Sequence, residues 1–147
     1  MTITTTTLAD DTQKVIVKAN GVGGETKGII LDATKESGAT SSPNLSIAHV
    51  YHEILGTGNL TFFFDAETDE EVDTKFSGRG NYGLKKTEPK IKQGDTGTSL
   101  TNPTGSVLVS TDSTITKYNI VVEFKKEKGF TNGWYRIKFN YRRYFWC

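Results

Sequence analysis

Polar and apolar residues alternate with a period of two along several stretches of the chain, which is the pattern of a β-strand buried on one face. The clearest stretch is residues 117–125, where an aromatic or branched apolar side chain occupies every second position. Residues 45–55 alternate in the same way and predict a long strand, although apolar residues on both sides leave a short helix open. Residues 60–64 form an apolar run, which favours a strand covered on both faces.

Shorter strands are predicted between turn residues. Residues 13–19 alternate and precede a glycine-rich turn at 20–24, so residues 26–33 are predicted to return as the second strand of a β-hairpin. Residues 106–111 predict a further strand. Composition predicts loops at residues 34–44 and 83–103 and an acidic turn at residues 65–73, while residues 75–82 fit no single element.

Every element that the pattern predicts clearly is a strand. No stretch has the 3.6-residue apolar spacing of an amphipathic helix, and 15 glycines with one methionine favour strands joined by tight turns. Seven or eight strands at this spacing predict an all-β protein, an antiparallel and jelly-roll-like β-sandwich. We expect one such domain over residues 13–147, preceded by an extended, flexible N-terminal arm at residues 1–12.

The last fourteen residues are the most unusual part of the chain. Between residues 135 and 142, aromatic or aliphatic side chains alternate with arginine, lysine and asparagine, as in a strand with a cationic outer face. The alternation then breaks, and the next residues are apolar on both faces. So apolar an end is predicted to be either core or partner interface. The candidate interface residues are Trp134, Arg136, Arg142, Arg143, Tyr144, Phe145 and Trp146.

The formal net charge of +1 is unevenly distributed along the chain. Residues 1–127 carry 13 basic and 17 acidic residues, whereas residues 128–147 carry 5 basic residues and no acidic one. Cations interleaved with aromatics can bind single-stranded nucleic acid, but a neutral chain lacks the broad positive field of such proteins. We therefore expect no nucleic-acid partner, and the asymmetry indicates a contact surface instead.

The cysteine content and the N-terminal residues bear on the compartment. The single cysteine, Cys147, excludes an internal disulfide and a zinc site built on cysteines. Residues 1–7 lack the basic and apolar regions of a signal peptide, and no apolar run approaches the roughly 20 residues of a membrane-spanning helix. We expect synthesis in a reducing cytoplasm and no membrane partner.

Two short motifs resemble known sites but lack the required context. Residues 78–83 match G-x-G-x-x-G, yet a poor helix former follows where dinucleotide binding needs a helix N-terminus, so a flexible loop and no cofactor are predicted. His52 and Glu53 begin like a zinc-protease helix, but Gly56 replaces the second histidine. His49 and His52 are three residues apart, which places them on opposite faces of a strand.

Six carboxylates between residues 65 and 73 form the densest acidic cluster. Their spacing begins like a calcium-binding loop, but Glu70 and Phe76 replace the glycine and glutamate that such a loop requires, which favours a solvated turn and leaves cation binding open. The turn has a second use as the electrostatic partner of a basic patch on another copy. No nucleophile elbow, phosphate loop or cysteine–histidine pair is present, so we expect no enzyme and no catalytic residue.

Four segments resemble small all-β virion proteins of tailed bacteriophages. They are residues 13–21 (QKVIVKANG), 45–50 (LSIAHV), 64–69 (FDAETD) and 105–111 (GSVLVST). This resemblance covers residues 13–125, and the aromatic C-terminal strand departs from it. It implies a non-enzymatic capsid decoration, or cement, protein that binds the shell of the major capsid protein as a homo-oligomer, often a trimer. It also implies synthesis in the host cytoplasm and a final place on the capsid surface of the virion.

A second function stays open at the level of the sequence. Exposed tryptophans can stack against sugar rings, and Trp134 and Trp146 are candidates for such a platform. The alternative is therefore a carbohydrate- or host-surface-binding module of a phage tail or fibre. The two functions differ in whether the aromatic end contacts protein or glycan.

Overall fold

The computed structural model describes residues 3–40, 43–97 and 100–130. Over these residues the fold is all-β, with two antiparallel sheets, consistent with a β-sandwich, and one 3₁₀ turn at Ala33–Lys35. No helix in these ranges has the length and hydrophobicity to cross a membrane. The described ranges contain nine strands, where the pattern predicted seven or eight. They are β1 (Thr4–Asp10), β2 (Lys14–Gly21), β3 (Gly28–Leu31), β4 (Leu45–Gly56), β5 (Leu60–Phe64), β6 (Glu70–Phe76), β7 (Arg79–Tyr82), β8 (Val107–Thr111) and β9 (Ile115–Lys126).

The chain passes repeatedly from one sheet to the other. The larger sheet has the strand order β1-β2-β9-β4-β7, and the smaller has the order β3-β8-β5-β6. Only the pairs β1–β2 and β5–β6 are both consecutive in sequence and adjacent in a sheet. Each of the other connections between described strands crosses from one sheet to the other, so most strand pairing joins distant parts of the chain.

Four of the predicted strands are confirmed with nearly the predicted bounds. Residues 13–19, 45–55, 106–111 and 117–125 were predicted as strands, and they correspond to β2, β4, β8 and β9. β9 lies at the centre of the larger sheet, paired with β2 and β4. The residues of β9 that the pattern marked as apolar are fully buried. For β9, the alternation of apolar and polar residues therefore predicted both the strand and the face that points into the core.

The hydrophobic core is shared by the two sheets. The larger sheet contributes residues such as Val15, Val17 and Ile120, and the smaller contributes Phe62 and Phe64. The Phe62 ring packs edge-on against that of another core phenylalanine on β6, with ring centres 5.5 Å apart. Burying one such side chain contributes roughly 2–3 kcal/mol to folding. The core therefore holds the two sheets face to face.

The N-terminal residues differ from the predicted flexible arm. Thr4–Asp10 forms β1, which pairs with β2 from Thr4 opposite Asn20 to Asp10 opposite Val15. Threonine favours extended backbone because its side chain is branched at Cβ, and β2 supplies the hydrogen-bond partners. The segment is extended, as predicted, but it is the outermost strand of the larger sheet.

The predicted hairpin between residues 13–19 and 26–33 is wrong. β3 pairs with β8 in the other sheet, because β1 and β9 already occupy the two edges of β2. The glycine-rich turn instead leads across the end of the sandwich. There the Glu25 N–H donates to Thr111 Oγ1 at 2.9 Å, and the Thr111 N–H donates to the Glu25 carbonyl at 2.9 Å.

Candidate interaction surface

The residues predicted as an interface lie outside the described part of the chain. The last described residue is Phe130, which forms an isolated bridge with Ala39 and packs against the core. The role of the aromatic end as core or interface therefore stays a prediction. The residues concerned are Trp134, Arg136, Arg142, Arg143, Tyr144, Phe145 and Trp146.

The outer face of the smaller sheet carries three neighbouring apolar side chains. We call Ile29, Leu108 and Phe63 the apolar row. They lie side by side on β3, β8 and β5, because Leu108 is the register partner of both Ile29 and Phe63. Val107 and Val109 are fully buried in the core, so Leu108 between them faces outwards. Ile29 is 57% exposed, whereas Leu108 is 6% exposed and Phe63 is half-buried.

Lys27 lies across one end of the apolar row. Its ammonium group is 5.0 Å from the centre of the Phe63 ring and 3.1 Å from Asp69 Oδ2. The backbone of Lys27 has a φ of +47°, a left-handed conformation that costs a residue with a side chain roughly 1–2 kcal/mol. The sequence predicted that the strand at residues 60–64 is covered on both faces. This is corrected for the outer face, where the Phe63 side chain is only half-buried and has a lysine side chain against it.

Carboxylates border the apolar row beside Phe63. We call Glu67, Asp69 and Glu71 the acidic rim. Glu71 is the register partner of Phe63 on β6, and its carboxylate accepts a 2.7 Å hydrogen bond from Lys75 Nζ. Residues 61–76 contain six carboxylates and one lysine, so that adding Lys27 leaves a formal balance of −4. The apolar row is thus flanked by a net negative region.

Asp69 keeps its negative charge beside the apolar row. Burial alone would raise the pKa of Asp69, but hydrogen bonds from the Ala66 N–H and from Lys27 lower it below its usual value. A carboxyl group with a lowered pKa is ionised at neutral pH. Lys27 and Asp69 therefore form a charged pair at the edge of the row.

The acidic cluster divides between the two faces of β6. Glu70 is buried, and its carboxylate accepts hydrogen bonds from Gly94 N (2.7 Å), Thr96 N (3.2 Å) and Thr96 Oγ1 (2.7 Å). The predicted acidic turn over residues 65–73 is therefore too long, since β6 begins at Glu70. In the described ranges, no group of three or more histidine, cysteine, aspartate or glutamate side chains is placed to hold a metal ion.

The G-x-G-x-x-G motif contains a strand and is not the predicted loop. Arg79–Tyr82 is β7, which pairs with β4 at the edge of the larger sheet. Gly80 lies against the His52 imidazole, where a Cβ would come within 3.3 Å of Nε2. His52 Nδ1 is 3.0 Å from the Gly78 carbonyl oxygen. His52 is nearly buried, whereas His49 is partly exposed. The glycines of the motif therefore pack against the inward-facing histidine, His52.

A buried ion cluster, which we call the Lys126 clasp, joins three parts of the chain. Lys126 occupies an inward-facing position of β9, and its side chain is 1% exposed. Its ammonium group donates to Asp10 Oδ1 (2.6 Å), the Asp11 carbonyl (2.6 Å) and the Ser37 carbonyl (2.8 Å). An ammonium group has three protons, so each has an acceptor. The clasp fixes the end of β1 to β9 and to the loop after the 3₁₀ turn.

Glu36 gives the clasp a dependence on pH. Burial, the negative charge of Asp10 and a hydrogen bond with Asp10 raise the pKa of Glu36 from 4.5 to about 7. An acid with a raised pKa in the folded state costs stability as the pH rises between the two values, here from about 4.5 to about 7. We expect Glu36→Gln to reduce this pH-dependent loss of stability. At pH 8 the variant should be more stable than the unaltered chain by on the order of 1 kcal/mol.

Urea titrations between pH 4.5 and pH 8 measure this effect. Asp73→Asn removes the same charge from an exposed position outside the acidic rim and is the control for the loss of one negative charge. Parallel profiles for Glu36→Gln and the unaltered chain would show that Glu36 does not titrate in this window.

The outer face of the larger sheet has a shallow polar depression of about 440 Å³. Asn119 Oδ1 lies there, buried and without a hydrogen-bond partner in the described structure. Tyr51 is on the same face, and its hydroxyl donates to Glu53 Oε2 at 3.3 Å. Amide, carboxylate and ammonium groups beside an aromatic ring suit a ligand rich in hydroxyl groups. The depression is lined by Lys18, Asn20, Gly21, Val22, Glu53, Lys117 and Asn119.

No known protein family and no curated protein matches this chain. Its function is therefore inferred from the fold and from the two outer faces of the sandwich. The smaller sheet offers an apolar surface with a charged border, and the larger sheet offers a polar one.

Proposed function

We propose that this chain is a non-enzymatic structural protein of a bacteriophage virion, a capsid decoration protein that binds the shell of the major capsid protein. The observation that carries the proposal is the strand order. The order β2-β9-β4-β7 in one sheet and β3-β8-β5-β6 in the other supports the jelly-roll interpretation of the sandwich. Double-sheet jelly rolls of eight strands recur in viral capsid proteins and in lectins. The resemblance of residues 13–125 to phage virion proteins points the same way.

The apolar row supports assembly as the role of this fold, because a fold alone does not specify a function. Ile29, which is exposed, and Phe63, which is half-buried, are bordered by charged side chains, and this is the composition of an interface core and its rim. The C-terminal residues 134–146 add tryptophan, tyrosine and arginine, the residue types that dominate binding energies at interfaces. We infer that the protein forms a homo-oligomer, for which the resemblance favours a trimer, on the capsid surface.

The buried polar groups support a structural role. Glu70 binds the loop at Gly94 and Thr96, and Lys126 binds the end of β1. His52 is paired with a backbone carbonyl. Each of these groups connects separate segments of the fold, which is the work of a structural side chain and supports a protein without catalytic turnover.

The mass and the capsid binding of the full-length chain test this proposal. We expect light scattering after size-exclusion chromatography to give a multiple of the monomer mass. We also expect saturable co-sedimentation with expanded shells of the phage that encodes the chain. A monodisperse monomer that leaves those shells unbound would overturn the proposal.

The polar depression on the larger sheet favours one second candidate, a carbohydrate- or host-surface-binding module of a phage tail or fibre. Its amide and carboxylate groups are suited to sugar hydroxyls. Under this alternative, a glycan array gives specific binding that Asn119→Ala weakens at least tenfold. Absence of binding across the array, together with unchanged tryptophan fluorescence on adding sugars, would exclude it.

A further inference from the structure

We propose that the apolar row of one copy binds the terminal aromatic segment, residues 142–146, of a second copy. In this contact the three aromatic residues of the segment cover the row, and its two arginines lie at the acidic rim. The inference rests on the proposed function and deepens it, because it names the contact through which the protein assembles.

The two surfaces match in apolar character. The accessible part of the row is Ile29, which is 57% exposed, and the half-buried Phe63 on the other side of Leu108, so a partner over them would remove apolar surface from water. Tyr144, Phe145 and Trp146 are consecutive, apolar and out of phase with the alternation before them. Aromatic side chains that fill an apolar site are the usual energetic centre of an interface.

The two surfaces are also complementary in charge. The region around Phe63 has a formal balance of −4, one charge of which belongs to the buried Glu70, whereas residues 128–147 carry five cations and no acid. Arginine forms bidentate hydrogen bonds with carboxylates, so Arg142 and Arg143 suit the carboxylates of Glu67 and Glu71. Lys27 offsets one of these negative charges through its pair with Asp69, so the acidic rim keeps an excess of carboxylates that favours a cationic partner.

The segment is long enough to reach a second copy, and the contact can be repeated from copy to copy. Seventeen residues follow Phe130, and an extended chain of that length spans on the order of 55 Å, enough to leave its own sandwich. The row and the segment are different surfaces, so each copy donates one and accepts the other. Such head-to-tail contacts form a ring when the rotation between copies closes, and a threefold rotation gives the trimer that the resemblance favours.

Two variants separate the donor surface from the acceptor surface. Ile29→Glu places a charge on the row at an exposed position, so the fold should be kept. Deletion of residues 144–147 removes the aromatic donor. The matched control is Leu84→Glu, because Leu84 is 71% exposed and lies in the loop that follows β7, away from the row. We expect each of the first two variants to weaken self-association at least tenfold and the control to leave it unchanged, by light scattering over a range of concentrations.

Mixing the two variants gives the decisive result. The Ile29→Glu chain keeps its segment and the truncated chain keeps its row, so an equal mixture should form a heterodimer and stop there, since neither remaining surface is functional. If the truncated chain loses its native circular dichroism, Arg142→Glu combined with Arg143→Glu replaces it as the donor variant.

Three outcomes would overturn the inference. The first is a mixture that remains monomeric, and the second is Ile29→Glu associating like the unaltered chain. Both leave the proposed function standing if full-length oligomers or shell binding persist. The third is a full-length chain that binds shells but is a monomer in solution. This result would mean that the segment does not bind a second copy, and it would again leave the capsid role intact.

Discussion

Lys126→Ala should lower the free energy of unfolding by about 3 kcal/mol in urea titrations at pH 7. Removing one partner of a buried ion pair leaves the other charge uncompensated, which costs roughly 3–5 kcal/mol. Asp10 is 25% exposed, so water offsets part of the cost and the lower end of this range applies. The carbonyls of Asp11 and Ser37 also lose their donor.

Lys125→Ala is the matched control, because Lys125 is the neighbouring lysine of the same strand and is exposed. It should change stability by no more than about 0.5 kcal/mol. Hydrogen exchange adds a local readout, since the clasp fixes the end of β1. Lys126→Ala should release the amides of β1 before those of β9, and equal losses for both lysine variants would contradict the clasp.

Phe62→Ala should destabilise the fold by about 4 kcal/mol, the range for a fully buried phenylalanine. Phe62 is 0% exposed and packs against Phe76 in the core. Phe63→Ala should cost only about 1 kcal/mol, because Phe63 is half-buried on the outer face under Lys27. Two neighbouring residues of β5 are thus expected to differ greatly in their contribution to stability, because one side chain faces the core and the other faces outwards.

Denaturant unfolding of both variants, with self-association measured alongside, tests this assignment. Phe62→Ala should affect stability alone, whereas Phe63→Ala should weaken assembly through the apolar row. Equal destabilisation by the two substitutions would mean that β5 is covered on both faces and that the row is not an open surface.

Local alternation was sufficient to predict much of the fold. Residues 117–125 alternate so regularly that both the strand and its buried face follow from the sequence. For residues 45–55 the strand follows but its buried face does not, because a register shift between Ile47 and His49 moves the inward positions to the other phase. Pairing partners do not follow, because they depend on which strand edges are free. The turn after residue 20 therefore indicated that the chain changes direction. It did not indicate that the chain crosses to the second sheet, because that crossing depends on contacts with Thr111, which lies far away in the chain.

The candidate surface was only partly visible in the sequence. Ile29 and Leu108 lie in short strands that are apolar at consecutive positions, and such a strand signals an apolar outer face. The inward orientation of Lys126 was also visible in the sequence, because Lys126 is two residues from the inward-facing Phe124 on the same strand. Its partners could not be predicted, since Asp10 is 116 positions away and meets it only through the pairing of β1. The burial of Glu70 likewise depends on a distant loop.

The position of the terminal segment on a second copy is directly measurable, because the chain has a single native cysteine. Cys147 adjoins the segment, and Ile29→Cys adds a second thiol on the apolar row. Copies grown with and without nitrogen-15 are mixed, treated with a short bismaleimide and digested for mass spectrometry. We expect cross-links between position 29 and Cys147 that join heavy to light copies, and few when Leu84→Cys replaces Ile29→Cys. Cross-links confined to one copy, or equal yields from both substitutions, would contradict it.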